Sequence, residues 1–234
     1  MSTASTPNQL LVLDDLYAAL GAVTGEVIHE VAHTLMFLRQ LTSPGSTSTA
    51  TSQETAAFAE QEIARMERLL GNLRQFKLTV PQRQPVRVID VVKPILTSLD
   101  SAAPAGVPRV QVDVPPSLAV AEDPGFLAHA LRNLLEHACD EAGPEGAFGL
   151  RASVAKADGT DALSLQVWDS GPEVLAAARA SLFVPWNLRK GNHSLRLPIA
   201  RCVLRAMGWT VSYKRIASRN EYHIIAPEPA IEVP

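Results

Sequence analysis

Two cysteines in 234 residues, Cys139 and Cys202, provide no disulfide framework, and their separation rules out a CxxC metal knuckle. Such usage fits a reducing cytoplasm. Basic excess is also missing: the formal net charge is -3, which removes the electrostatic signature of a nucleic-acid binder or of a protein drawn to an anionic membrane. No apolar run approaches the roughly 18 residues that span a bilayer. The opening "MSTASTPNQ" lacks the basic and apolar regions of a secretory leader. These absences leave a chain with no anchor and no sensor-like segment, whose partner is expected to be another protein.

At 47% hydrophobic, the chain has enough apolar residues for one large domain or two small ones. Apolar residues recur in steps of three and four at Leu13, Leu16, Leu20, Val23, Val27, Val31, Leu35 and Leu38, which predicts an amphipathic helix over 10–41. Pro44, Gly45 and the Ser/Thr run of 42–52 predict a loop. Ser52 is the expected cap of a second helix, carried to residue 78 by Phe58, Ile63, Met66, Leu69, Leu70, Leu73 and Phe76. Two helices joined by a loop make an antiparallel hairpin whose stripes are too wide to cover each other. Pairing two copies into a four-helix bundle solves this, so a homodimer is expected with Leu20, Val27, Val31, Leu69 and Leu73 in its core.

The stretch "EVIHEVAHTLMF", residues 26–37, lies in the first helix and admits two chemistries. As HExxH, it places His29 and His33 one turn apart with Glu30 alongside, the arrangement of zinc proteases. Glu54 is the available third ligand, but helix-start chemistry accounts for it better, and the zinc reading leaves everything after Pro81 unexplained. As a phosphoacceptor, His29 needs an exposed neutral ring nitrogen, with Glu30 fixing the tautomer from the other side. Val27 and Val31 each lie two residues from His29, about 200° around the helix, which turns His29 to solvent and His33 with it. Two solvated histidines with no function remain the bland alternative.

After Pro81 the texture changes to alternating helical and β-branched segments bounded by Pro, Gly and Asp. This predicts an α+β domain over 81–234, separated by the linker 80–85 from the hairpin domain of 1–80. The order of segments resembles the bacterial two-component histidine kinases. "IHEVAHTL" resembles the phosphoacceptor box, "RMERLLGNLRQFKL" the second bundle helix, and "EDPGFLAHALRNLLEHACDEA" the Asn-bearing helix of the nucleotide site. "VWDSGPEV" is similar to the first Gly box, "SLFVPW" to the Phe box, and "GNHSLRLPIARCVLRAMGW" to the second Gly box and the helix after it. "EYHIIAP" resembles the closing strand.

The resemblance implies a dimeric four-helix bundle followed by an α/β sandwich of the histidine-kinase ATPase type. It implies His29 as phosphoacceptor, with Glu30 and His33 beside it. It also implies nucleotide contacts at Asn133, His137, Asp169, Gly171 and Arg196. The departures run in one direction. His137 stands where the family has a second metal-holding Asn, and neutral imidazole is a poor ligand for Mg²⁺. Glu173 and Arg196 stand at family glycines, where side chains obstruct the approach of backbone N–H groups to phosphate. Three functions stay open. The favoured one is a histidine phosphotransfer protein or degenerate kinase exchanging phosphoryl with a response-regulator receiver domain and needing no cofactor. The others are a soluble autokinase using ATP and Mg, and a dimeric binding module without chemistry.

Overall fold

The computed structural model describes residues 81–101, 110–157, 160–184, 195–227 and 231–232, with separate positions between 21 and 63. The chain divides into two compact units, Leu20–Thr79 and one containing Val80–Pro234. In the first unit, Gly21, Thr24, Gly25, Ile28, Val31, Ala32, Thr34, Leu35, Met36 and Arg39 are helical, as are Ala56, Ala57, Ala59, Glu60 and Ile63. Thr34 is buried and Val31 partly so, whereas Leu35, assigned by periodicity to the apolar stripe, is 61% exposed beside Ile28 and Met36 at 64% and 65%. At 100° per residue Leu35 lies 100° from Thr34, so a stripe this wide buries one edge within the chain and leaves the other outward. The four-helix packing as a whole lies outside the described residues.

In the second unit the elements run β1 (Gln84–Arg87), α1 (Val88–Ser101), β2 (Val110–Asp113), β3 (Leu118–Glu122), α2 (Pro124–Ala142), β4 (Phe148–Ala157) and β5 (Thr160–Asp169). They continue with α3 (Ala176–Arg179), α4 (Arg196–Ala206), β6 (Thr210–Ile216), β7 (Arg219–Ile225) and β8 (Ile231–Glu232). The main sheet has the order β2-β4-β5-β7-β6, antiparallel except for the parallel β2–β4 pair, and β1, β3 and β8 form a small antiparallel sheet. The unit is an α+β sandwich with α2 and α4 packed together, and α2 also lies against β4 and β5. Leu127, Leu131, Leu134 and Leu135 of α2 meet an interior shared with Leu150, Leu163, Leu165, Val203 and Leu204, all essentially inaccessible.

Local chemistry explains the elements that position the site. Asp123 caps α2 by accepting from the N–H groups of Gly125 and Phe126 at 2.8 and 3.1 Å, a contribution of about 1 kcal/mol. Pro124 opens the helix, where its missing N–H costs nothing, and Gly143 at φ 68° ends it. Strand β7 alternates, sending Asn220, Tyr222 and Ile224 inward. The expected linker is shorter than 80–85, because Gln84 and Pro85 already pair with Glu122 and Ala121. An edge strand tolerates Pro85 since no ladder donor is required of it there. The preceding residues are also tied down. Gln82 N–H donates to Asp123 Oδ2 at 2.9 Å, and Arg83 reaches the buried Glu122 carboxylate at 3.4 Å.

Candidate nucleotide site

Asp169 closes β5 and lies next to β7, which brings Asn220 opposite it in register. One carboxylate oxygen, Oδ1, accepts from Gly171 N–H at 2.8 Å and from Asn220 Nδ2 at 2.7 Å. Asn220 Oδ1 in turn accepts from Tyr213 Oη and Arg215 Nη1, and the same Arg215 nitrogen donates to Gly171 O at 3.0 Å. The turn is further fixed by Ala147 N–H donating to Ser170 Oγ. A side chain at Gly171 would place its Cβ 2.4 Å from Glu141 O, so only glycine fits there. The other carboxylate oxygen, Asp169 Oδ2, is buried without a hydrogen-bond partner. Burial raises the pKa of Asp169, opposed by the Asn220 and Gly171 hydrogen bonds.

Helix α2 contributes Asn133 and His137, one turn apart and both inside. Asn133 Nδ2 donates to His129 O at 2.9 Å, leaving its Oδ1 buried and unpartnered. His137 Nε2 meets Tyr222 Oη at 2.9 Å, the rings edge to face with centroids 5.5 Å apart. Desolvation, reinforced by Arg196, pushes the His137 pKa down to about 3, so the ring is neutral at physiological pH. Burial, and then the charge of Asp169, drives the Tyr222 phenol far above its ordinary value. The hydroxyl lies close enough to feel that carboxylate, but its hydrogen-bond geometry selects His137.

Arg196 is the first residue of α4. Its Nε lies 3.2 Å from Glu136 Oε2, and Nη1 bonds Asp140 Oδ2 and the Glu136 carbonyl. Leu195 before it, and Leu197 and Pro198 after it, are buried, and no side chain caps the helix. Glu173 is exposed and paired with Arg179. Asp169 and Gly171 thus meet Asn220, and His137 meets Tyr222, with Asn133 one turn before His137 on α2, while Arg196 turns to Glu136 and Asp140 of the same helix. His29, Glu30 and His33 lie outside the described residues, and with them the zinc alternative.

Tyr222, Asn220 and Arg215 are site residues that the sequence reading did not single out. Period-two alternation in "RNEYHII" marks Asn220 and Tyr222 as inward, and a polar residue facing inward is the signal that identifies Asn220 as a partner for some buried group.

Residues 122–229 match the family model described as histidine kinase-, DNA gyrase B-, and HSP90-like ATPase, and the second unit has this type of α+β sandwich. The C4-dicarboxylate transport sensor protein DctB of Rhizobium meliloti is 28% identical over 213 residues, covering 87% of this chain and 34% of that protein. The chain therefore spans about a third of this curated relative. The Acinetobacter baumannii histidine kinase AdeS shares the fold at a TM-score of 0.61 and 16% identity, over 85% of this chain and 96% of that one. The mycobacterial sensor histidine kinase MprB does so at 0.53 and 21%, over 63% and 100%. Full-length ShkA in complex with AMPPNP does so at 0.54 and 19%, over 98% and 47%. These solved structures share the fold of the second unit's α+β sandwich with this chain.

The matched family model describes ATPases, and tested against ATP with Mg²⁺ as its companion, the residues of this site fit only in part. The free Asp169 Oδ2 and the crowded Gly171 suit the amino-bearing base of a nucleotide. The position at which the resemblance expects a metal ligand does not fit one. His137 is turned into the interior onto Tyr222, where a hard cation requires oxygen. The nearby Glu136 and Asp140 are held by Arg196. Among the described residues, no group of three or more His, Cys, Asp or Glu side chains is placed to hold a metal ion. No described helix is long and apolar enough to cross a membrane.

Proposed function

We propose that the chain is a dimeric histidine phosphotransfer protein, derived from a histidine kinase, that passes a phosphoryl group between receiver-domain aspartates through His29. The observation that carries this reading is the His137–Tyr222 pair: the side chain at the metal position is sealed inside and committed to an internal partner. Phosphotransfer does not need that end of the pocket. A receiver acyl phosphate is already activated, and the receiver supplies its own cation. The neutral His29 ring nitrogen attacks phosphorus, an N–P bond forms, the P–O bond to the receiver aspartate breaks, and the carboxylate leaves. The reverse step loads a second receiver. Glu30 holds the proton on the far ring nitrogen, and His33 lies one turn away on the same face.

Residues 1–80 are assigned to dimerisation and phosphoacceptance, and 81–234 to a degenerate ATPase-like domain that supports docking. The outward Ile28, Leu35 and Met36 support a second copy as the cover for the helical unit. The retained Asp169 anchor and Gly171 turn favour a second reading, a soluble ATP-dependent autokinase. Labelling of the purified chain separates the two. Transfer from a phosphorylated receiver and none from γ-labelled ATP is expected. Labelling by ATP alone would replace the first reading with the second. Receiver binding without labelling by either would leave a binding module.

A further inference from the structure

The main sheet ends on one side in a strand that is left open. Strand β6 pairs with β7, and no other strand lies beside it among the described residues. The turn at Ala217 and Ser218 closes this hairpin on the pair Ile216 and Arg219, and such a closing pair exchanges its hydrogen bonds. By antiparallel alternation, the N–H and C=O groups of Val211, Tyr213 and Arg215 then point away from β7. The other outer strands are guarded against an added chain. Strand β2 has four residues and is followed by Pro115, β8 has two, and β1 carries Pro85. Strand β6 has seven residues, no proline and an unbroken register. Its two faces differ. Val211 and Tyr213 stand half-buried on the face shared with Tyr222 and Ile224, whereas Ser212, Lys214 and Ile216 are exposed on the other. The carboxylate opposite Lys214, Glu221, is turned to His223 at 3.0 Å. The hairpin carries three cations, Lys214, Arg215 and Arg219, against that one carboxylate, in a chain whose net charge is -3.

We propose that β6 accepts an added strand from a partner protein, an extended segment in which apolar and acidic residues alternate. Period-two geometry sets its apolar side chains beside Val211 and Tyr213 and its carboxylates beside Lys214, while its backbone takes up the outward N–H and C=O groups. A second copy of β6 fits less well, because two-fold pairing centred on Tyr213 sets Lys214 diagonally across from its own counterpart. Strand addition at β6 is independent of phosphotransfer through His29.

Fluorescence anisotropy of the full-length protein with two capped, labelled peptides tests it, one alternating valine with glutamate and the other valine with lysine. The glutamate peptide is expected to bind about tenfold or more tighter than the lysine peptide. Hydrogen exchange should find the amides of Val211, Tyr213 and Arg215 exchanging freely in the protein alone and slowed once the glutamate peptide is bound. Lys214→Glu should reverse the preference between the two peptides. Val211→Pro removes one outward donor and leaves the β7 ladder whole, so it should weaken the glutamate peptide by about tenfold or more with the unfolding transition retained. Equal binding of the two peptides, binding of neither, or protection of those amides already in the protein alone would overturn the proposal. Self-association that Val211→Pro abolishes would also overturn it, assigning the edge to a second copy.

Discussion

Replacing His137 with Gln should remove most of the acid sensitivity that this site gives the fold. An unfolded histidine titrates near 6.5, whereas folded His137 stays neutral to about pH 3 because it is 3% exposed and held against Tyr222. The folded pKa is depressed, so the unfolded state binds more protons between these values. Stability is therefore fully present above about 6.5 and is lost as pH falls towards 3. Between pH 6.5 and 4.5 a single such group accounts for about 2 kcal/mol, from the general rate of about 1.4 kcal/mol per pH unit less the rounding near the unfolded pKa. His129, lowered to about 4, works in the same direction, while Asp169 and Glu122, both raised by burial, oppose it. All three are common to parent and variant and cancel in the comparison. Gln can still hydrogen-bond the Tyr222 hydroxyl, and it cannot be protonated in this range. Urea unfolding of both proteins at the two pH values gives the answer, provided the transitions are two-state. The parent should lose about 2 kcal/mol more than His137→Gln. Equal losses would mean that His137 is accessible to protons in the folded state, and the sealed metal position would fall with that result.

Two further substitutions address the same site. Gly171→Ala drives a methyl against the Glu141 carbonyl and the Asp169 carboxylate, and should destabilise by about 1–3 kcal/mol in denaturant unfolding, with loss of the Asp169 anchor in any nucleoside titration. Tyr222→Phe leaves the buried His137 Nε2 without a partner, and thermal or urea unfolding should show a cost of about 1–3 kcal/mol with receiver-dependent labelling preserved.

The helical and strand character of the second unit is legible because its signals are local: the Asp123-Pro124 start and Gly143 stop of α2, and the alternation of β7. The turn at Asp169 and Gly171 is legible for the same reason, since short polar residues and glycine after an apolar strand define it. What was not legible depends on register. Asn220 meets Asp169, and Tyr222 meets His137, only because β7 pairs with β5 in one alignment and α2 packs over the sheet, and neither fact has a signature in either segment alone. The sequence shows an imidazole, His137, at the position where the resemblance expects an oxygen ligand for a metal. It does not show that the imidazole is turned inward. Arg196 is similar: its charge suggested an anion site, whereas α4 brings it beside Glu136 and Asp140, which already supply the anions. Thr34 is covered while Leu35 of the apolar stripe is outward, because a wide stripe fixes the direction of a helix only to within a residue or two.

The central claim is that His29 carries the phosphoryl group, and transfer from a phosphorylated receiver domain to the wild-type chain and to His29→Ala tests it most directly. Label is expected on the wild type, labile in acid as a phosphoramidate is, and none on His29→Ala, with receiver binding and dimerisation unchanged. Equal labelling of the two proteins, or label on the wild type that appears only with ATP, would contradict it.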